Sequence, residues 1–354
     1  MNAPAPSLVL TEQNAIEYLR SAGRIPHNAP AEATFLSGGV SNVVLYIRRL
    51  DDPSLDFVLK QASPQLRVPQ PWFCSVERIW REVAVLRRCE RILGDAAQTS
   101  DSIHLPRLLF EDHENYVFAM TAAPLGHATW KQQLLAGRAD PAIAAACGRL
   151  LGRLHAATWL DGETADELND RQFFDDLRLD PYYRQVARVH PDLAAPLEGL
   201  VASVWEHRRS LVHGDFSPKN LLVWPAGLML IDCEVGHYGD PAFDLGFFLT
   251  HLVLKSLTFH RRWSEYIALP QTFWASYAAT VAPRAGRDEW QALEARAQLN
   301  LAGCMLARID GKSRVEYLTQ PDPIREWARR LLLHPSATWE ETNRRLESFR
   351  SEIA

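Results

Sequence analysis

The sequence lacks the patterns that mark disulfide-stapled, zinc-binding and membrane-spanning proteins. Its five cysteines are odd in number and widely spaced, and no two of them form a Cys-x-x-Cys pair. Neither a disulfide framework nor a zinc knuckle is therefore expected. The most apolar stretch, residues 243–254, includes Asp244 and His251 and is shorter than the roughly 20 residues of a spanning helix. We expect no membrane partner.

A strong charge of one sign is also absent. The net charge is −5 over 354 residues, and Lys and Arg are scattered along the chain, so no basic stripe for nucleic acid is formed. Residues 1–6 lack the basic region and apolar core of a signal peptide. Because 47% of the residues are hydrophobic, the chain has enough apolar surface for packed cores. We expect a cytoplasmic protein without a nucleic-acid partner, and the oligomeric state is left open.

Hydrophobic periodicity divides the chain into a sheet-forming part and a mainly helical part. Alternation of strand length is found at 34–36, 43–48, 57–61, 107–110 and 116–120. Between the third and fourth of these segments, residues 75–93 show helical spacing that Gly94 ends. Helical spacing then predominates at 142–158, 193–209, 241–255, 271–281 and 288–307. We predict an α+β fold of two lobes, residues 1–123 and 124–354.

A predicted β-hairpin places polar side chains at its open end. Two apolar runs of strand length begin at Leu221 and Leu228, and a Pro-Ala-Gly turn separates them. If Trp224 faces Leu228, then Asn220 lies opposite Asp232, with β-carbons about 4.5 to 5.5 Å apart. The hairpin therefore predicts that two oxygen ligands meet at one point.

Asp215 lies just upstream of this pair, on the loop that leads into the first strand of the hairpin. Carboxylate and amide oxygens are ligands that Mg²⁺ prefers in proteins, and a nearby acid can meet the hydroxyl that accepts a phosphate. The segment therefore predicts a magnesium-phosphate site. Alternatively, Asp215 and Asn220 only cap loops, but that role leaves Asp232, directly after an apolar strand, without an explanation.

The run His213-Gly214-Asp215, followed by Asn220 and by Asp232, resembles the motif of the aminoglycoside phosphotransferase, choline kinase and methylthioribose kinase superfamily. This superfamily has the protein-kinase-like fold. The resemblance implies that Asp215 is the catalytic base or orients the acceptor hydroxyl, and that Asn220 and Asp232 bind Mg²⁺. It also implies ATP as the phosphate donor.

The sequence gives less certain roles to two acidic residues that follow Asp232, Glu234 and Asp244. Asp232 and Glu234 form an Asp-x-Glu pair like that of the methylthioribose and choline kinase branches. If the strand continues, both side chains face one side, so Glu234 is either a second metal ligand or a supporting or surface residue. Asp244 lies in an apolar helix and needs hydrogen-bond donors. The resemblance implies that Asp244 braces the catalytic loop, and we expect His213 to orient the same loop.

Residues in the predicted first lobe suggest a nucleotide site. The glycine pair in residues 37–42 would let backbone N–H groups approach phosphates, although such pairs are also common in simple turns. Lys60 ends a predicted strand, and Glu82 borders the apolar stripe of the following helix. By resemblance, Lys60 and Glu82 pair to position phosphate; the alternative is a solvated helix face. The complete expected nucleotide-binding set is Ser37, Gly38, Gly39, Ser41, Asn42, Lys60, Glu82, Met120 and Ala122.

The acceptor is less well determined by the sequence. Only seven residues separate Asp232 from Asp240, too few for the long activation segment of a protein kinase, so we expect a small-molecule hydroxyl substrate. A protein kinase and a non-catalytic nucleotide-binding module are the alternatives. The acidic residues of 161–180 are candidates for attracting a cation, and Arg308 and Asp310 for binding a sugar or an anion. Solvated surface and an ordinary helix C-terminal charge account for these segments equally well.

Overall fold

The first part of the chain forms the predicted antiparallel sheet. The computed structural model describes residues 8–36, 42–65, 74–94 and 103–353. The strands of this part are β1 (Ala31–Phe35), β2 (Asn42–Arg49), β3 (Phe57–Ala62), β4 (Ile103–His104), β5 (Leu108–Asp112) and β6 (Val117–Thr121). All except β4 join one sheet in the order β1-β2-β3-β6-β5, with antiparallel pairing throughout.

Helices cover both faces of this sheet. The first helix, α1 (Ala15–Ser21), packs with Leu59 of β3 in one apolar cluster. The second, α2 (Arg78–Leu93), packs with Val58 in the main core. Because successive strand residues point to opposite faces, Lys60 lies on the same face as Val58 and is directed toward α2. Burial on both faces explains why every residue of β3 is buried.

The remainder of the chain is mainly helical. Its helices are α3 (Trp130–Leu135), α4 (Pro141–Ala157), α5 (Gly162–Glu167), α6 (Gln172–Phe174), α7 (Gln185–Val189), α8 (Ala194–Glu206), α9 (Ala242–Thr258), α10 (Trp263–Ala285), α11 (Arg287–Asp310), α12 (Pro321–Leu333) and α13 (Trp339–Ile353). A π-helical stretch, Asp175–Arg184, joins α6 to α7. The central helix is α9, buried along nearly its whole length. It packs against α10 and α11, and this arrangement confirms the predicted α+β fold.

The hairpin forms, but its predicted register is wrong by one residue. Its strands are β9 (Leu221–Trp224) and β10 (Gly227–Leu230), and Trp224 faces Gly227 instead of Leu228. The turn therefore contains two residues, because Gly227 already belongs to a strand. Asn220 lies opposite Ile231, whose N–H donates to the Asn220 carbonyl at 3.0 Å. Asp232 follows with a φ of 72°, so the chain leaves the strand there.

Short strands connect the two parts of the molecule. Parallel pairing joins β4 to β10, although β4 lies within the segment predicted as the first lobe. On the other side of the hairpin, β7 (Ala128–Thr129) pairs with β9. A separate pair consists of β8 (Ser210–Val212) and β11 (His237–Gly239). The boundary near residue 123 remains a prediction, and β4 crosses it by pairing with the hairpin.

Among the described residues, no helix taken singly has both the length and the apolarity needed to cross a membrane. The segments Ala242–Thr258 and His260–Ala285 meet that criterion only as a pair, across a bend of 97°.

The contact between α9 and α11 generates a stability prediction. A β-carbon at Gly246 would lie 2.5 Å from the Asn300 β-carbon and 2.5 Å from the Leu301 nitrogen. Gly246→Ala is therefore expected to lower the free energy of unfolding by about 1 to 3 kcal/mol through overpacking. Chemical denaturation measures the change.

Gly199→Ala is the matched control, because Gly199 lies within α8 and a β-carbon there has no neighbour within 4 Å. This substitution is expected to raise the stability by about 0.5 to 1 kcal/mol, since Ala loses less conformational entropy in a helix. Equal unfolding midpoints for the two variants would contradict the close packing at Gly246.

Candidate active site

Asp215 is held by three side chains that meet at one of its oxygens. The Oδ2 atom forms ion pairs with Arg178 Nη2 at 2.9 Å and Lys219 Nζ at 2.8 Å, and it accepts a hydrogen bond from Asn220 Nδ2 at 2.9 Å. Asp215 is buried, with 3% of its surface exposed. Its Oδ1 atom has no hydrogen-bond partner among the residues that the structure describes. One carboxylate oxygen is thus fixed by protein, and the other is available to a ligand.

The charge of Asp215 follows from these neighbours. Burial raises the pKa of the Asp215 carboxyl, but the positive charges of Arg178 and Lys219 outweigh burial and leave the pKa below its ordinary value. Asp215 is therefore ionised at neutral pH. A carboxylate of this kind is a weak base and a good hydrogen-bond acceptor.

The loop that carries Asp215 is braced from the central helix, as expected for Asp244. Asp244 is fully buried, and its two oxygens accept from the backbone N–H groups of His213 at 2.7 Å and Gly214 at 2.8 Å. The His155 ring lies 3.3 Å from the same carboxylate. Gly214 has a φ of 75°, and a β-carbon there would lie 3.0 Å from the Val235 carbonyl. Glycine is therefore required at position 214.

His213 joins the loop to the hairpin. Its Nδ1 accepts from the Asp215 N–H at 3.2 Å, and its Nε2 lies 3.3 Å from the Ile231 carbonyl. Both bonds together require a neutral ring with the proton on Nε2. Burial lowers the pKa of His213, against the attraction of nearby carboxylates, which is consistent with the neutral form. The structure places His213 where it orients the loop.

Lys60 and Glu82 form the predicted ion pair. Lys60 Nζ lies 2.7 and 2.8 Å from the two oxygens of Glu82, and 3.0 Å from Asp232 Oδ1. Lys60 and Glu82 are buried. Burial disfavours the Lys60 charge, but these carboxylates more than compensate and hold its pKa above the ordinary value. The Lys60 ammonium group therefore joins β3 and α2 of the first lobe to Asp232, which follows the hairpin.

The donor set near the hairpin is suited to a magnesium ion that also binds phosphate. The Asn220 amide nitrogen donates to Asp215, which leaves its oxygen for a cation, and Asp232 uses only one oxygen on Lys60. Asp232 adopts a left-handed conformation that costs about 1 to 3 kcal/mol and is typical of functional sites. Mg²⁺ commonly takes one or two protein oxygens, with phosphates and water supplying the others. Among the described residues, no cluster of three His, Cys, Asp or Glu side chains is placed to hold a metal alone.

Glu234 lies elsewhere than the strand argument predicted. Asp232 lies beyond the end of β10. The alternation of side chains along a strand therefore does not place the Asp232 and Glu234 carboxylates on one face. The Glu234 carboxylate instead accepts from Asn42 Nδ2 at 3.1 Å and from Arg78 Nε at 3.3 Å. Arg78 is fully buried. This placement favours the supporting role among the two that the sequence left open.

The remaining predicted nucleotide residues are only partly described. Asn42 begins β2 and contacts Glu234, while Ser37, Gly38, Gly39 and Ser41 lie outside the described residues. Met120 is buried in β6 opposite Val58 of β3, and Ala122 follows β6. Their roles in nucleotide binding stay predictions.

The two acceptor candidates, Arg308 and Asp310, are not brought together. The Asp310 carboxylate is occupied by Arg325, at 2.7 Å, and by His190, at 2.8 Å. Arg308 donates to the Tyr182 hydroxyl at 3.0 Å and lines a separate pocket. Asp310 is thus a structural ion-pair partner in this arrangement.

The acidic segment 161–180 is largely neutralised. Asp161 pairs with Arg88, and Glu167 with Arg91 at 2.7 Å, both from α2. A wide, shallow depression lies along this segment, but its lining residues do not include Asp215. The paired carboxylates make this surface a weak attractor for a cationic acceptor.

Sequence reasoning missed Arg178 and left Lys219 without a role. Arg178 lies in the π-helical stretch, nine-tenths buried, and also donates from Nε to the Gly214 carbonyl at 2.8 Å. Its position between Leu177 and Leu179 was a usable signal, because an Arg flanked by buried leucines needs an anionic partner. The partner itself depends on the fold.

The segment after Asp232 leaves no room for a peptide-docking loop. Residues 233–239 are buried, and β11 at their end pairs with β8. The activation segment of a protein kinase is replaced by a short, fixed connection to α9.

Comparison with known proteins agrees with this geometry. The family model described as "Phosphotransferase enzyme family" matches residues 32–293. The methylthioribose kinase of Exiguobacterium sibiricum is 26% identical over 301 residues, which cover 76% of this chain and 73% of that protein. Methylthioribose kinase 1 of Oryza sativa subsp. japonica is 24% identical over 284 residues, covering 69% of this chain and 62% of that protein.

A solved structure shows the same fold. An ethanolamine kinase from Plasmodium vivax superposes with a TM-score of 0.52 at 10% identity, covering 98% of this chain and 90% of that one. At this identity, the similarity concerns the fold. The family match extends over most of the sequence, including the Lys60–Glu82 pair and the loop of Asp215. The chain therefore belongs to the phosphotransferase enzyme family and is a small-molecule kinase with a two-lobed, protein-kinase-like α+β fold.

Proposed function

We propose that the protein transfers the γ-phosphate of ATP, with Mg²⁺, to a hydroxyl of a small molecule. The observation that carries this proposal is the free Oδ1 of the buried, ionised Asp215 beside the Asn220 amide. An acceptor hydroxyl at that oxygen would lie next to the expected magnesium ligands. Phosphoryl transfer depends mainly on such positioning and on electrostatic stabilisation.

On the nucleotide side, Lys60 supplies positive charge for phosphate oxygens. Glu82 holds its ammonium group in place through two hydrogen bonds. Asn220 and Asp232 would hold Mg²⁺, which when bound neutralises phosphate charge. Asp232 also contacts Lys60, so the position of this lysine is fixed relative to the predicted metal ligand.

On the acceptor side, Asp215 orients the hydroxyl through a hydrogen bond to Oδ1. As the bond from the acceptor oxygen to the γ-phosphorus forms and the bond to ADP breaks, the hydroxyl proton passes to Asp215 and then to water. Because its pKa is lowered, Asp215 takes this proton late, when the acceptor oxygen has become acidic. Arg178 and Lys219 keep the carboxylate charged before the reaction.

A cytoplasmic location is part of the same proposal. All five cysteines are free, buried thiols, which is typical of proteins kept in a reducing compartment. ATP and Mg²⁺ are abundant there.

Removal of the Asp215 charge is expected to stop turnover. Asp215→Asn keeps the shape of the side chain but loses the ionised oxygen, so kcat is expected to fall by about 10² to 10⁴. The affinity for Mg-ATP should stay within about threefold of the original, a difference below 1 kcal/mol. Acceptor-dependent ADP release measures kcat, and calorimetry measures ATP binding.

Asp288→Asn, at an exposed position, is the control for the same chemical change and should leave kcat unaltered. The acceptor panel contains choline, ethanolamine, homoserine, methylthioribose and aminoglycosides. Failure of the intact protein to bind Mg-ATP at millimolar concentration would refute the proposal, and so would full activity of Asp215→Asn.

The pH dependence of activity tests the role of Arg178. The Arg178 charge helps hold the pKa of Asp215 below its ordinary value, and catalysis requires the ionised carboxylate. Arg178→Gln is therefore expected to raise this pKa and to move the acidic limb of the kcat/KM profile to higher pH. Arg178→Lys keeps the charge and should move the limb less. An acidic limb that is unchanged in Arg178→Gln would show that Arg178 acts on the loop backbone alone.

A further inference from the structure

A narrow pocket beside the catalytic loop is lined mainly by basic side chains. It lies between α3, the catalytic loop, α9 and α11 and encloses about 20 Å³ of space for water-sized groups. The residues that line it are Lys131, Pro218, Lys219, His251, Lys255, Arg308, Val315 and Tyr317. In a chain with a net charge of −5, such a concentration of positive charge is local and needs an explanation.

Carboxylates neutralise only part of this charge. Lys131 pairs with Glu316, whose side chain is 63% exposed, and Lys219 pairs with Asp215. Among the described residues, Lys255 and Arg308 have no carboxylate within ion-pair distance. The pocket therefore has an excess of positive charge.

Lys255 is the most costly of these cations. It is 1% exposed, and its ammonium group donates to the His251 carbonyl and the Tyr317 hydroxyl, each at 3.3 Å, and lies 4.7 Å from the centre of the Tyr317 ring. Burial, followed by repulsion from Lys131 and Arg308, lowers the pKa of Lys255 to about 7, against an attraction by Glu316. A bound anion would favour the charged form of this lysine.

Two polar atoms at the pocket also lack partners. His251 is 7% exposed, and its Nε2 has no hydrogen-bond partner among the described residues. The same holds for Arg308 Nε. Unsatisfied buried polar atoms are rare in native structures. Both residues line the pocket, so part of its wall is polar and is not satisfied by the described protein groups.

The pocket adjoins the catalytic carboxylate. Lys219, which lines it, lies 2.8 Å from Asp215 Oδ2. The other end of a small molecule bound in the pocket would therefore lie near the Asp215 carboxylate. The enclosed space admits about one water-sized group, so it suits an oxygen of a carboxylate or phosphate whose carbon chain lies at the mouth of the pocket.

We infer that this pocket is the acceptor site and that it binds the carboxylate or phosphate group of a small hydroxylated anion. The inference rests on the proposed phosphotransfer and narrows it to one substrate class. Choline and the aminoglycosides carry positive charge, which Lys131, Lys255 and Arg308 repel. Electrostatic exclusion of this kind gives specificity against the wrong acceptor.

Calorimetric binding to the full chain in the presence of a non-hydrolysable ATP analogue and Mg²⁺ tests the inference. The probes are two matched pairs: 4-hydroxybutyrate against 4-hydroxybutyramide, and glycerol 3-phosphate against glycerol. Within at least one pair, the anion is expected to bind 10-fold or more tightly than its neutral counterpart, because charge-assisted hydrogen bonds are stronger than neutral ones. The pair with the larger ratio distinguishes a carboxylate from a phosphate as the preferred group.

Lys255→Met and Arg308→Met should each weaken binding of the preferred anion by about 10-fold or more. Lys255→Met is also expected to leave the unfolding midpoint unchanged or higher, because it removes a buried charge without a carboxylate partner. Weaker anion binding without a lower unfolding midpoint would show that Lys255 binds the ligand and does not stabilise the fold. Lys312→Met makes the same charge change next to Asp180, outside the pocket, and should not alter binding of the anion.

Acceptor-dependent ADP release then separates this inference from the proposed function. Turnover with glycerol or choline, but with neither anion, would overturn the anionic acceptor and leave the kinase function intact. Equal binding of anions and neutral analogues would overturn it too, as would anion binding that Lys255→Met and Arg308→Met do not weaken. So would the absence of binding by both anionic probes at about 10 mM. Loss of Mg-ATP binding by the intact protein is the separate result that refutes the kinase function itself.

Discussion

The buried carboxylate of Asp244 is the constraint on which the active site depends. It receives the backbone N–H groups of His213 and Gly214, so the turn before Asp215 is tied to the central helix of the protein. A carboxylate in that position is costly without donors, and the two backbone groups would be equally costly without an acceptor. Because each satisfies the other, the loop has one conformation, and Asp215 has a fixed position.

From this point, charge pairs extend across the molecule. Arg178 holds both Asp215 and the Gly214 carbonyl. On the other side of the hairpin, Asp232 meets Lys60, and Lys60 meets Glu82. The first lobe is therefore connected to the segment after the hairpin by an ion pair between the buried Lys60 and the partly buried Asp232. Removal of one member of such a pair leaves its partner as an uncompensated buried charge. This cost explains why these charged side chains of the active site are paired.

Sequence patterns reached some of these contacts and not others. The Lys60–Glu82 pair was implied by the family resemblance, and helical periodicity contributed that Glu82 borders the apolar stripe of its helix. The hairpin was also predictable, but its register depended on whether Gly227 belongs to the turn, which hydrophobic pattern does not settle. The role of Glu234 stayed open for a different reason, because the left-handed conformation of Asp232 ends the strand alternation. Arg178 lies in a π-helical stretch, whose unusual spacing no local pattern predicts.

By itself, the sequence determined the fold class and the order of a sheet followed by helices, and it singled out Asp215, Asn220 and Asp232 as site residues, because these depend on periodicity and on residues close together in the chain. Tertiary structure alone decided which charges lack a partner. The basic pocket gathers side chains from α3, the catalytic loop, α9 and α11, and their separation in sequence hides their proximity. Whether a lysine is solvated or buried without a carboxylate is a property of the packing around it, and at Lys255 that packing points to the chemistry of the acceptor.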